Sequence, residues 1–253
     1  MTRDLKRIQQ TAEGWTPQEV LRWAFEHFGA GVQMASGFGA EGMALIDMAA
    51  RLTTRLRVFT LDTGFLFRET YELMETVEQR YGISVERVRS ALDPQQQAEL
   101  LGPQLWTIDP DRCCQIRKVE PLKNKLATLS AWITAIRRDQ TSARANAGKV
   151  EWDRKFQLVK INPIAAWSHK DVWNYLFAHN VPYNPLHDRS YTSIGCTHCT
   201  RAVRPGEDPR AGRWSGFAKT ECGLHVEEGP APAAAPAPLI QIRFGADTEP
   251  NCC

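Results

Sequence analysis

No stretch of this 253-residue chain is apolar for long enough to cross a bilayer, and Met1 to Pro17 hold no apolar segment of the kind found in a secretory leader. A cytosolic location is therefore expected, with no membrane partner. A large basic excess is also missing. Thirty-one Lys and Arg against 29 Asp and Glu leave a net charge of +2, which argues against a nucleic-acid binder. No glycine-rich run ends in Gly-Lys-Ser/Thr, so there is no Walker loop, and no full dinucleotide fingerprint is present either. What the chain does have is seven cysteines in clustered positions. In a reducing compartment these read as metal ligands or reactive thiols rather than disulfides.

The stretch from Gly195 to His225 concentrates the chemistry. It opens with Cys196-Thr197-His198-Cys199, continues through Arg201, Arg204, Arg210 and Arg213, and closes on Glu221-Cys222-Gly223-Leu224-His225. Two residues between Cys196 and Cys199 let both sulfurs face one centre, the spacing of a metal or redox site. Cys222 is a lone thiol with His225 three residues on, and lone thiols with basic neighbours are candidate nucleophiles.

The earlier part of the chain reads as alternating helices and strands. A helix is predicted over residues 17–29, starting at Pro17, with Val20, Leu21, Ala24, Phe25 and Phe28 as its apolar stripe. A strand, Val32 to Ala35, runs into the small-residue turn Ser36-Gly37-Phe38-Gly39 and a second helix. Such a turn presents backbone N–H groups and a helix N-terminus to an anion. A second strand ends in Asp62-Thr63-Gly64, and a helix at 69–81 leads to a third strand near 83–88. A fourth strand is read at 132–136, ending in the Arg137-Arg138-Asp139-Gln140 loop that runs on to Arg144. A fifth is read at 156–163. Ser168 and Asp171 have the spacing of a reciprocal capping pair for the helix that follows. This alternation implies an α/β fold with a doubly wound parallel sheet, binding ligands at the carboxyl ends of its strands.

Cys113 and Cys114 form a second pair, with a helix expected around or just after them and Pro121 bending it or ending its first part. Adjacent cysteines diverge too much to ligate one tetrahedral ion easily. A [4Fe–4S] cluster relaxes that constraint, because each of its four irons takes one thiolate. Cys113, Cys114, Cys196 and Cys199 thus suit a cluster better than zinc, and zinc better than four free thiols. Lys118, one helical turn after Cys114, would place a positive charge near the cluster and near an anionic substrate.

Taken together, Ser36–Glu41, Leu61–Gly64, Cys113-Cys114-x-x-x-Lys118, Arg137–Gln140, Cys196-x-x-Cys199 and Glu221–His225 follow the order seen in assimilatory sulfonucleotide reductases. Over residues 20–226 the chain resembles the iron–sulfur branch, the adenylyl-sulfate reductases. The resemblance implies an adenine-nucleotide α-hydrolase-like sheet with a mobile C-terminal catalytic segment, residues 200–226. It implies reduction of adenylyl sulfate to sulfite and AMP by thioredoxin or glutaredoxin, through an S-sulfocysteine on Cys222. His225, Lys118, Arg210 and Arg213 would be the basic residues around that thiol. Ser36, Gly37, Gly39, Asp62, Thr63, Gly64 and Arg138 would contact the nucleotide. Gly39-Ala40-Glu41 stands where many relatives of this fold carry the acidic-serine end of a pyrophosphate loop, which fits a ligand without a pyrophosphate.

Two other readings compete. A phosphoadenylyl-sulfate reductase shares the Cys222 segment but typically lacks both cluster pairs. A zinc-stabilised nucleotide-binding or tRNA-thiolating protein on the same fold would be colourless and contain zinc. Residues 1–226 are expected to form the reductase domain. The Pro/Ala-rich stretch after Val226 reads as a linker to a disordered tail, with Cys252 and Cys253 dispensable. The 28 residues after His225 are too few for a further domain, so the dithiol donor is expected to be a separate protein. Formation of a homo-oligomer is left open.

Overall fold

The computed structural model describes residues 3–225. In chain order its helices are α1 (Arg3–Ala12), α2 (Pro17–Phe28), α3 (Ala40–Leu52), α4 (Arg68–Tyr81), α5 (Pro94–Leu101), α6 (Leu105–Ile108), α7 (Pro110–Cys114), α8 (Glu120–Leu126) and α9 (His169–Ala178). The strands are β1 (Val32–Ala35), β2 (Val58–Asp62), β3 (Val85–Arg89), β4 (Ala131–Ile133), β5 (Val150–Asp153) and β6 (Leu158–Ile161). They form one six-stranded sheet in the order β3-β2-β1-β4-β6-β5, parallel throughout except for β5, which runs antiparallel along β6 at the edge. No described helix is long and apolar enough to cross a membrane.

Both faces of the sheet are covered, and the side-chain alternation of the strands shows how. Val58, Ala131, Ile133, Val159 and Ile161 point into a core shared with α2, α3, α4 and α9. Phe59, Trp132 and Leu158 point to the opposite face, where Leu122 and Leu126 of α8 meet them. Leu21, Met34, Leu45 and Ile46 are all fully buried in the first core. Burial of each such side chain is worth about 1.5–3 kcal/mol, which is why the sheet is a rigid platform for the loops at its ends.

Local signals set the helix ends. Thr16 and Glu19 form a reciprocal capping box ahead of Pro17, and Ser168 and Asp171 form the expected one ahead of α9. A third, Asp93 with Gln96, starts α5. Several expectations are corrected. β4 stops at Ile133 rather than at residue 136, and Phe25 and Phe28 are only half-buried.

Pro121 does not bend or end a helix. Between α7 and α8 the chain winds as a π turn, Gln115–Val119, with the Glu120 N–H bonded to the Gln115 carbonyl five residues back. An α-helical Pro121 would collide with the carbonyl four residues before it. The wider winding accommodates it, and π turns of this kind are frequent at functional sites.

Candidate functional site

Strand order reverses around β1, whose neighbours are β2 on one side and β4 on the other, so the crevice beyond their carboxyl ends is the natural ligand site of the sheet. A pocket lies there. Its floor is Ala35, Ser36, Gly37 and Gly39 after β1, Phe59 to Leu61 and Thr63 of β2 and its turn, and Trp132 with Thr134 to Ile136 of β4 and its extension.

The turn after β1 is built tightly. The Ser36 hydroxyl accepts a hydrogen bond from the Phe38 N–H at 3.1 Å, and a Cβ on Gly42 would lie 2.6 Å from that hydroxyl. Glycine is required at 42. Phe38 is fully buried at φ +56°, a left-handed conformation that costs a non-glycine residue energy and is held here by the core around it. Glu41, in the first turn of α3, is neutralised by Arg137 and accepts from Gln140, so it ties the β1 turn to the β4 loop.

The C-terminal segment closes the other side of the pocket. Cys222, Leu224 and His225 line it, together with Lys118, Arg144 and Arg213. Arg213 donates to the Ser193 hydroxyl and the Ile194 carbonyl, both at 3.3 Å, and its guanidinium sits 4.4 Å from the Trp214 ring. Lys118 is buried. Desolvation pushes its pKa down, while thiolate forms of Cys196, Cys222 and Cys114 push it up by more, so the net direction is upward and it is a cation.

Lys118 also lines a second, narrow cavity that contains all four paired cysteines, Cys113, Cys114, Cys196 and Cys199, with Phe65, Trp106, Arg117 and His198. The four thiols are free. His198 stacks on Trp106 at 3.9 Å, and Phe65 meets both edge-on, so aromatic rings wall off one side. Burial first, and then repulsion from neighbouring thiolates, raises Cys113 and Cys199 to about 11. Among the described residues no three His, Cys, Asp or Glu side chains are grouped as for a single metal ion. Thr63 links the two cavities, lining the larger one and placing its hydroxyl 3.3 Å from the Cys196 sulfur.

The structure thus brings Ser36, Gly37, Gly39, Thr63, Lys118, Arg213, Cys222 and His225 to one pocket, and leaves other expected residues outside it. Asp62 is a turn-builder instead: it accepts from the Gly64 N–H, the Tyr71 hydroxyl and Arg89. Gly64 is held in that turn at φ +73°. Arg138 turns away to the Ala147 carbonyl and Glu13, and the loop arginine that lines the pocket is Arg144. Arg210 does not line the pocket either; it braces the segment from behind through the Thr220 carbonyl at 3.0 Å. Trp132, read only as a strand residue, forms pocket wall and stacks on His225 at 5.6 Å. Strand alternation carries that signal, since Trp132 must face opposite Ala131 and Ile133.

His225 is not a cation. The residue is half-exposed overall, yet its Nδ1 is shut off from solvent and has no hydrogen-bond partner among the described residues. Burial, reinforced by the charges of Arg144, Lys160 and Arg210, holds the imidazole well below 6.5. A released segment takes up a proton below that value while a docked one does not, so docking is favoured above it and weakens as the pH falls. Protection of residues 220–225 against hydrogen exchange, taken relative to the intrinsic rate at each pH, should therefore fall between about pH 7.5 and about pH 5.5. His225→Phe should flatten that dependence.

A sheet opening at its switch point onto small-residue and arginine loops, closed by a thiol-bearing segment, defines an α/β protein with a cysteine at the wall of a cation-lined pocket. Residues 31–202 match the family model of the phosphoadenosine phosphosulfate reductase domain, and the chain belongs to that family. It is 44% identical to the adenosine 5'-phosphosulfate reductase of Shouchella clausii over 88% of this chain and 93% of that one. It is 46% identical to adenosine 5'-phosphosulfate reductase 2 of Bacillus subtilis, over 83% and 89%. Among solved structures, the phosphoadenylyl-sulfate reductase of Candida auris, in a phosphate complex, superposes with a TM-score of 0.68 at 28% identity, covering 80% of this chain and 98% of that one. The parallel sheet expected from the sequence is observed, with β5 added antiparallel at its edge.

Proposed function

We propose that this protein reduces adenylyl sulfate to sulfite and AMP with two electrons from a dithiol protein, thioredoxin or glutaredoxin. The observation that carries the reading is the meeting of Cys222 with Lys118, Arg144 and Arg213 around the switch-point pocket. The names of the 44–46% identical relatives support the unphosphorylated nucleotide as substrate.

The nucleotide binds over Ser36–Gly39 with its sulfate toward Lys118 and Arg213. The Cys222 thiolate attacks the sulfur; an S–S bond forms, the S–O bond to the phosphate breaks, and AMP leaves with the electron pair. The three cations offset charge on the departing phosphate and cost no reorganisation, being already in place. One thiolate of the external dithiol then attacks the Cys222 sulfur and displaces sulfite. The second thiol resolves the mixed disulfide, so the dithiol is oxidised and Cys222 returns as a thiol. The segment opens for this second step. Free thiols at all five described cysteines suit a cytoplasmic setting.

Cys113, Cys114, Cys196 and Cys199 would hold a [4Fe–4S] cluster. The donor set fits. All four line one cavity beside Lys118, and a centre offering one iron to each thiolate suits the adjacent pair Cys113-Cys114 better than a single tetrahedral ion does. Bound there, the cluster would supply an electrostatic and positioning element beside Lys118, since the thiol steps already account for both electrons.

The test is to purify the protein anaerobically, measure iron and sulfide, and mix it with adenylyl sulfate in the absence of reductant. Mass spectrometry should find a sulfo adduct on Cys222. A colourless zinc protein that makes no sulfite from either nucleotide would overturn the reading. Substitutions in the β4 loop separate its arginines. Arg144→Ala is expected to lower kcat/KM for adenylyl sulfate by about 10–100-fold, the worth of a charged hydrogen bond. Arg138→Ala should stay within about threefold, because its partners lie away from the pocket.

A further inference from the structure

Glu221, immediately before the thiol, is the more deeply buried of the two ion-paired acids in the described C-terminal segment, 8% exposed against 28% for Glu207. Arg144 grips it with two hydrogen bonds, Nε to one carboxylate oxygen at 2.9 Å and Nη2 to the other at 2.7 Å. The Thr141 hydroxyl donates at 3.0 Å, and Arg210 stands 3.7 Å away. The Arg144 and Glu221 side chains are only 9% and 8% exposed. Arg144 and Cys222 line the pocket, whereas Glu221 does not. The carboxylate therefore grips the arginine from the side away from the ligand.

We propose that Glu221 is a positioning residue, a latch that fastens the thiol-bearing segment to the loop after β4 and so sets the balance between attack by Cys222 and exposure of its adduct. The argument rests on Cys222 being the nucleophile. Consecutive Cα atoms are about 3.8 Å apart, so fixing one residue fixes the reach of the next. The same bond holds the Arg144 guanidinium in one orientation at the pocket wall, while its Nη1 is held by Gln140 at 2.7 Å.

The burial of the pair also makes the latch releasable. Two charges taken out of water lose hydration nearly as large as their mutual attraction, so a buried ion pair adds little net stability while it is intact. When the segment opens, both partners recover that hydration, and the opening needed for the dithiol step is not opposed by the full strength of the contact. Thr141, Gln140 and Arg144 all belong to one short loop, so a ligand that moves this loop acts on the latch directly.

Three rates test it: adduct formation with adenylyl sulfate in a single turnover without reductant, alkylation of Cys222 by iodoacetamide in substrate-free protein, and sulfite release from preformed adduct by reduced thioredoxin. Glu221→Gln is expected to slow adduct formation about 10–100-fold, the loss of a charged bidentate contact. It should speed alkylation and leave sulfite release undiminished, with Glu221→Asp restoring part of the first rate. Thr141→Ala, which leaves both charges in place, should shift the same rates in the same direction by about threefold. Adduct formation at the wild-type rate in Glu221→Gln, or equal slowing of adduct formation and sulfite release, would overturn the latch. No adduct on Cys222 of the wild-type protein would instead overturn the reading beneath it.

Discussion

Cys222→Ser is expected to lower sulfite production from adenylyl sulfate by about 10³-fold or more, the usual cost of removing a nucleophile. It should do so without loss of iron. Cys222 lines the switch-point pocket but not the cavity that holds the other four described cysteines, so the two sets of thiols are spatially separate. Nucleotide binding should survive, because Ser36–Gly39, Lys118, Arg144 and Arg213 are untouched. The checks are steady-state sulfite release, iron content and the affinity for AMP measured on one preparation. Substantial residual turnover would mean that another thiol accepts the sulfur.

The second large effect is expected at Lys118. It is the one cation that lines both cavities, and its charge is sustained by thiols on each side. Lys118→Met keeps the length and apolar stem of the side chain and removes only the charge. The expected loss is about 10²–10³-fold in kcat, comparable with deleting one donor from a charge-stabilising site. Because the wall remains packed, the affinity for AMP should change far less. The visible spectrum of the protein should shift as well, since the charge beside the four cysteines is gone. Lys118→Arg is not expected to rescue the rate, because a planar guanidinium needs more room than this buried position gives.

Much of this arrangement could be read from the residues, and the exceptions have physical causes. Strand-to-helix alternation gave the parallel sheet, and the spacing of Ser168 and Asp171 gave the start of α9. Strand β5 escaped notice because Val150-Glu151-Trp152-Asp153, although apolar and polar residues alternate in it, is only four residues long; in the fold its ends are buried and its middle half-buried. Helix α1 is polar along most of its length, so its apolar stripe is faint. In the β4 loop the sequence offered three arginines within eight residues. Which one faces the pocket depends on Glu13 and Glu41, both distant in the chain and each capturing one of the other two. The neutrality of His225 was hidden for the same reason, since it follows from Trp132 and from burial rather than from neighbouring residues.

The π turn between Cys114 and Glu120 has a consequence for how far this chain can vary in length. Each residue of an α-helix turns the next by about 100°. A π turn advances by less and so holds one residue more than the winding it replaces; deleting a single position from 115–119 would leave Leu122 and Leu126 facing the sheet but return ordinary winding, in which the Pro121 ring meets the carbonyl four residues before it. Residue number in this stretch is therefore tied to the proline: a one-residue gap is expected to be tolerated only where Pro121 is replaced as well.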